Sequence, residues 1–453
     1  MPIIPVPIHA RPQPGTVYVG GSGDTPVLPF APYRLIPVIC AAGEVSTAIQ
    51  VLGDSTGNAS DEWVNLVAID AAAQFPAYEV RHYYWNDATE VLPAMPTIVQ
   101  ATPGTKRHYA FPGLNGQTAQ HLGAAVTGDI DIRVLVEPTN WVAGAVAQTF
   151  AASFFSSAPN RAWRFYYGSG STGLHFDWST DGSALQSAAT ATWTPPTGPV
   201  WVRVTLDVDN GASGHEIKFY SSTDGLTWTQ RGTTTTRAGT TSIFGATGPY
   251  EIAGRSGGAE LYTGKIYEVQ IRNGIDGPLV APALPEHWQR GSSVTPDPTG
   301  SPILTFVNGS HPGANIAFLA DSARMAKMTP SYGQRLVLIS SSHNESNTGE
   351  TLRTAIAAYM TAVKARLPGT VFCGLTQNPR IAPASGRNAQ AQRRIAYLSW
   401  LDSLGWFPID TYGAFLDDTR GVAALVNSSD GLHPTSAGER LWADTIKQVL
   451  GII

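Results

Sequence analysis

Ser55 follows the short apolar run Thr47-Ala-Ile-Gln-Val-Leu52 through Gly53 and Asp54, which puts a hydroxyl where a buried parallel strand would end. A serine hydroxyl is a weak nucleophile at neutral pH. It needs a base within hydrogen-bond reach, a group that orients the base, and donors for a developing oxyanion. Of the ten histidines, only His433 has an aspartate three residues before it, in Asp430-Gly431-Leu432-His433-Pro434. In a turn, that spacing lets the Asp430 carboxylate reach the same imidazole and fix its tautomer. Two further stretches end apolar runs and offer donors: Asn308-Gly-Ser-His-Pro-Gly313 and Ser341-Ser342-His343-Asn344-Glu345. Ligands of open α/β sheets bind outside the carboxyl ends of strands, so all these pieces belong on one sheet edge.

The elements that must hold them come in two blocks. Residues 45–105 read as strand, helix, strand: the run ending at Gly53, a helix from Asp61 to about Gln74 with Ser60 as N-cap, and Tyr78–Tyr84. After Pro302 the same rhythm resumes. Ile303–Val307, Leu336–Ile339 and Thr370–Leu375 are strands, and Leu352, Ile356, Tyr359, Met360, Val363 and Leu367 share one helical face. A closing helix starts near Ser436, where Ser436-Ala-Gly-Glu439 has capping-box spacing. Between the blocks, residues 106–285 are short alternating runs with the hairpin signals Asp181-Gly182 and Asp224-Gly225, which predicts an antiparallel sandwich. The expected architecture is therefore one α/β domain, a three-layer parallel sheet over 45–105 and 286–453, split by an inserted β-sandwich. Residues 1–44, rich in Pro and Gly, read as an arm or docking segment.

Four ordered blocks resemble the SGNH (GDSL-like) hydrolases: Gly53-Asp54-Ser55, Gly313, Asn344 and Asp430-x-x-His433. The resemblance covers roughly residues 45–105 and 300–453. It implies a flavodoxin-like sheet and a serine esterase in which Ser55 attacks, His433 moves the proton and Asp430 orients His433. It also implies an oxyanion hole from the N–H groups of Ser55 and Gly313 and the Asn344 amide. The third block departs from the family's Gly-x-Asn-Asp at Ser342 and Glu345, and Thr56 stands where a hydrophobic residue is usual. Asp54, Thr56 and His343 are candidates for the substrate cleft. The insert resembles laminin-G-like and concanavalin-like jelly rolls at Phe111–Gly116, Thr127–Arg133, Ser222–Trp228 and Tyr267–Ile275. With Tyr84–Thr89 it is similar to segments of minor tail proteins from phages of actinobacteria. That likeness implies a virion-tail location, other tail proteins and further copies of the chain as partners, and acylated envelope glycan or lipid as substrate.

Two decoys are set aside. Gly254-Arg255-Ser256-Gly257-Gly258 matches a nucleophile-elbow pattern but lies between β-type runs, without the helix that motif requires. Gly113-Leu-Asn-Gly116 lies too far from the third block to replace Gly313. A net charge of −5 gives no basic footprint for nucleic acid. The start of the chain lacks a signal-peptide pattern, no apolar run is long enough to span a membrane, and no motif implies a metal or another cofactor. Cys40 and Cys373, each in a run that reads as a strand, are expected as free core thiols. Of the insert's tryptophans, Trp201, within an alternating strand, is expected in the core, and one or two of Trp141, Trp163, Trp178, Trp193 and Trp228 are expected to be exposed, where aromatic faces suit sugar stacking. Two other readings stay open: a non-enzymatic adhesion or structural tail component on a hydrolase scaffold, and a free bacterial esterase with a carbohydrate-binding insert.

Overall fold

The computed structural model describes residues 35–452 except 116, 142–145, 156–157, 169–172, 192, 291–297, 341–342, 347–348, 382–383 and 402–406. The first block holds α1 (Leu35–Ala42), β1 (Thr47–Gly53), α2 (Trp63–Gln74), β2 (Glu79–Tyr84) and β3 (Thr97–Gln100). The insert holds β4 (Tyr109–Pro112), β5 (Ala119–His121), β6 (Ile130–Pro138), β7 (Gln148–Phe154), β8 (Arg161–Tyr167), β9 (Leu174–Trp178) and β10 (Gln186–Ala189). It continues with β11 (Val200–Asp207), β12 (Gly214–Ser222), β13 (Thr229–Ala238), β14 (Tyr250–Ile252), β15 (Thr263–Asn273) and β16 (Gln289–Arg290). The chain then returns with β17 (Ile303–Asn308), α3 (Ile316–Leu319), α4 (Ser322–Met328), β18 (Gln334–Ser340), α5 (Gly349–Arg366) and β19 (Val371–Leu375). It closes with α6 (Ala384–Leu401), β20 (Phe407–Ile409), α7 (Thr411–Asp417), α8 (Val422–Leu425) and α9 (Ser436–Leu450).

The two blocks build one sheet in the order β20-β19-β18-β1-β17-β2-β3, parallel throughout except for β3. Its strands are apolar on both faces because both faces are covered. Ile49 and Val51 of β1 pack with Trp63, Val67, Trp442 and Ile446 of α2 and α9. Their neighbours Ala48 and Leu52 pack on the other side with Ile316, Met325, Ile356 and Tyr359 of α3, α4 and α5. Without β2 and β3, the order β17-β1-β18-β19-β20 is the 2-1-3-4-5 order of flavodoxin-like sheets. The second strand of the first block is thus displaced outward, between β17 and the edge strand β3, and β17, from beyond the insert, takes the place beside β1.

Two expectations for the first residues are corrected. Leu35–Ala42 is a helix, and its Ile36 and Cys40 are buried in the core of the α/β unit, so this part of the arm belongs to the domain. Residues 1–34 lie outside the described residues. Cys40 is therefore a helical residue and not a strand residue; both cysteines are free and buried.

The insert is two antiparallel sheets, β10-β9-β8-β7-β14-β5-β16 and β13-β12-β11-β6-β15-β4. Their shared core includes Phe150, Trp163, Phe165, Trp178, Phe219 and Ile271. The Asp-Gly hairpins form as read: Gly182 and Gly225 have φ of 78° and 75°, and Asp181 and Asp224 each accept N–H groups two and three residues ahead. β16 pairs with β5, so the sandwich reaches at least Arg290 and not 285. None of the six tryptophans is fully exposed. Trp163, Trp178 and Trp201 are buried, while Trp141, Trp193 and Trp228 are half-buried; the guanidinium groups of Arg133 and Arg203 lie 5.5 and 5.4 Å from the Trp228 ring centroid.

The sandwich is fastened to the α/β sheet. Arg81 of β2 sits between Glu79 and Glu268 of β15, at 2.5 and 3.1 Å, with all three side chains buried. Gln270 donates to the Ala94 carbonyl at 2.9 Å. The two crossings between the units are themselves paired. His108 and Thr299 exchange backbone hydrogen bonds of 2.9 Å each, Ser301 N–H bonds the Thr105 carbonyl, and Arg107 ties Glu286 to the Gly300 and Glu44 carbonyls.

Candidate active site

β1 is the strand at which the sheet order reverses, with β17 on one side and β18 on the other, and open α/β sheets bind ligands beyond the carboxyl ends of strands at such a point. Gly53 ends β1 there. Its φ is not positive; a Cβ would instead lie 2.9 Å from the Ser340 carbonyl oxygen and 2.9 Å from Ser310 Oγ. Close approach of neighbouring strand ends, and not a positive φ, is what requires glycine at 53.

Ser55 Oγ lies 2.8 Å from His433 Nε2, and His433 Nδ1 lies 2.9 Å from Asp430 Oδ2. With Nδ1–H donated to the carboxylate, Nε2 presents its lone pair to the serine hydroxyl. The other Asp430 oxygen accepts the N–H groups of Leu432 and His433 at 2.8 and 3.0 Å. Partial desolvation works against the Asp430 charge, but these hydrogen bonds and the imidazole outweigh it and hold the carboxyl below its ordinary range. His433 and Asp430 are open to water, with side chains 38 % and 40 % exposed.

The nucleophile loop stands on a buried polar network. Asp54 is 1 % exposed and accepts from Thr56 N–H (3.1 Å), Thr56 Oγ1 (2.8 Å), Gln377 Nε2 (2.8 Å to each oxygen) and Asn344 Nδ2 (3.4 Å). His343 is also buried; its Nε2–H donates to the Asn378 carbonyl at 2.9 Å, and burial pushes its pKa down to about 4, so it is neutral. Asp54, Thr56 and His343, expected as candidates for the substrate cleft, are thus buried and bonded within the protein. Ser341 and Ser342 lie outside the described residues.

Gln377 and Asn378, directly beyond β19, were not anticipated and join the two halves of the site. Gln377 holds Asp54 with Nε2 and accepts the His343 N–H with Oε1. Asn378 Nδ2 donates to the Leu432 carbonyl at 2.7 Å, one residue before His433. Both residues are buried. A signal existed: two amides follow the apolar strand Val371–Leu375, where a buried amide must find partners.

Gly313 has φ +75° in a turn closed by Ala314 N–H to the His311 carbonyl, and Pro312 precedes it, the arrangement of a type II turn. Asn344 Nδ2 donates to the Ala314 carbonyl at 3.3 Å as well as to Asp54, so the loops after β1, β17 and β18 meet at this amide. Glu345, in the place of the family's aspartate, is buried and accepts the Ile316 N–H at the start of α3.

Two helix starts differ from expectation. α2 begins at Trp63 with Glu62 as N-cap, not Ser60, and no side chain of its own caps it. α9 is capped by Thr435, and Glu439 does not close a capping box; its carboxylate crosses to the Trp63 N–H at 2.9 Å. Burial pushes the Glu62 carboxyl from 4.5 up to about 7, with the Ala59 and Asn58 N–H groups pulling the other way. Glu439 is raised well above its ordinary value, first by burial and then by the facing Glu62. Among the described residues no three His, Cys, Asp or Glu side chains cluster as a metal site requires, and no helix is long and apolar enough to cross a membrane.

No protein-family model matches the chain, and neither does any curated protein. Solved structures similar to it include a peptidoglycan O-acetylesterase, with a TM-score of 0.37 and 11 % identity over 93 % of this chain and 95 % of that one. A lipolytic protein of the G-D-S-L family from Veillonella parvula is similar over 33 % of this chain and 81 % of its own, with a TM-score of 0.29 and 12 % identity. The CBM40 domain of a Ruminococcus gnavus sialidase, bound to α2,3-sialyllactose, is similar over 36 % of this chain and 94 % of its own, with a TM-score of 0.26 and 11 % identity.

Proposed function

We propose that the chain is a serine carboxylic ester hydrolase acting on acyl esters of cell-envelope glycan or lipid. The observation that carries the reading is the file Ser55 Oγ, His433 Nε2, His433 Nδ1, Asp430 Oδ2, with contacts of 2.8 and 2.9 Å beyond the carboxyl end of β1. In this mechanism Ser55 Oγ attacks the ester carbonyl while Nε2 takes its proton. The tetrahedral oxyanion is met by the N–H groups of Ser55 and Gly313 and by the Asn344 amide. His433 then gives the proton to the leaving alcohol, and water, activated by the same nitrogen, frees the acyl group from Ser55.

The exposure of His433 and Asp430 supports a bulky leaving alcohol, such as a sugar within a polymer. The alcohol must depart on the side of the base, and that side faces solvent. Deacetylation of a polysaccharide is the most economical version. The proposed setting is a phage tail at the host surface, with other tail proteins and other copies of the chain as neighbours and the sandwich holding the glycan. That setting rests on the wording of the sequence alone.

The test is hydrolysis of 4-nitrophenyl acetate and of acetylated envelope polysaccharide by wild type and Ser55→Ala. Turnover by wild type alone is expected. Equal inertness of both folded proteins, together with retained binding to envelope, would replace the enzyme with an adhesion protein.

A further inference from the structure

We propose that Glu439 is a positioning residue that sets the distance between Ser55 and His433; this role rests on the esterase reading above. The two side chains come from the two ends of the domain, 378 positions apart. Each is carried by the loop in front of a helix: Ser55 precedes α2, and His433 precedes α9. What fixes one helix start against the other therefore fixes serine against imidazole.

Glu439 provides that contact. It is 5 % exposed, sits in the first turn of α9, and its Oε2 accepts the Trp63 N–H in the first turn of α2 at 2.9 Å. That N–H is one of the donors a helix start leaves without an internal partner. The neighbouring turn adds a flat contact, since Trp442 stacks on Trp63 with ring centroids 5.9 Å apart and planes 10° from parallel. The chain of contacts then reaches the nucleophile. A Cβ on Gly57 would lie 3.0 Å from Trp63 Nε1, so the Trp63 indole presses on the loop two residues beyond Ser55. The far side of that loop is held by Asn308, whose Nδ2 donates to the Gly57 carbonyl at 2.6 Å. From α9 to Ser55 the path is Glu439 and Trp442, then Trp63, then Gly57. With Thr435 as N-cap of α9, the position whose side chain would turn back to its own helix start falls on Gly438, which leaves Glu439, one residue later, for the distant one.

The role separates from simple packing by three substitutions. Glu439→Gln keeps an acceptor for the Trp63 N–H, and Glu439→Met keeps the volume without it. Misplacement of reacting groups by about 1 Å costs on the order of 100-fold in rate. With 4-nitrophenyl acetate, E439Q is expected to keep kcat within about twofold, whereas folded E439M loses roughly ten- to a hundredfold in kcat at little-changed KM. Reaction of Ser55 with a fluorophosphonate should slow in parallel. Folded E439M with wild-type kcat overturns the proposal. So does folded E439Q with the full loss, a result that decides the matter even where E439M does not fold. Glu62→Gln, which leaves the Trp63 contact intact, serves as the third variant; a kcat loss equal to that of E439M would transfer the effect to the paired carboxyls and overturn the clamp. A wild type that neither turns over ester nor reacts with the phosphonate sinks the esterase reading first and takes the clamp's role with it.

Discussion

The two halves of the candidate site are built differently. On the nucleophile side Asp54, Thr56, Gln377 and Asn378 are at most 1 % exposed and bonded to one another or to the loops around them. On the base side His433 and Asp430 stand 38 % and 40 % exposed. Each half suits its task. Donors that must meet an oxyanion gain from being fixed before reaction, because no reorganisation is then needed. A base that takes a proton from serine and returns it to a departing alcohol must meet both the alcohol and the water that follows.

The comparison can be broken in a graded way. Ser55→Ala removes the nucleophile both halves serve, and kcat on 4-nitrophenyl acetate should fall by roughly 10⁴-fold or more, with an unchanged circular dichroism spectrum. Asn344→Ala, on the buried side, should lower kcat by about 10²- to 10³-fold with KM nearly constant. Asp430→Asn, on the exposed side, should cost less, about 10- to 10²-fold, since water can take over part of the orientation that a buried aspartate supplies alone at a far larger cost. A D430N loss exceeding that of N344A would reverse the ranking of the two halves.

The smallest effect is on stability. The Glu62 carboxyl is raised from 4.5 to about 7 and Glu439 is raised too, both first by burial. A carboxyl with a folded pKa above its unfolded one contributes stability that is complete below pH 4.5 and is lost as pH rises through about 7. Thermal midpoints should therefore fall across that window, and Glu439→Gln, which cannot ionise, should flatten the fall. An identical slope in the variant would remove Glu439 as its source.

What the residues disclose on their own follows from how local the deciding contact is. The apolar runs of β1, β17, β18 and β19 are readable because strands covered on both faces have nothing to alternate. Asp430 and His433 are readable as a pair because three residues of turn separate them. Ser436 and Glu439 obey an equally local rule, yet the carboxylate bonds a partner 376 positions away. Ser60 similarly loses the start of α2 to Glu62 and to that distant carboxylate. Gln377 and Asn378 announce only that buried amides need partners; Asp54, His343 and Leu432, which they bond, lie on other loops. The displacement of β2 away from β1 is decided by β17, which arrives only after the whole insert.

The doubled crossing between the units has a mechanical consequence. A sandwich hung on one strand of chain could swivel about any backbone bond, and whatever it gripped would present its esters to the serine in every orientation. His108 against Thr299, with Arg107 lashed across to Glu286, makes a two-ply crossing that opposes such rotation. A long molecule held by the sandwich would then lie along a set heading past Ser55, and successive esters on it would arrive the same way round.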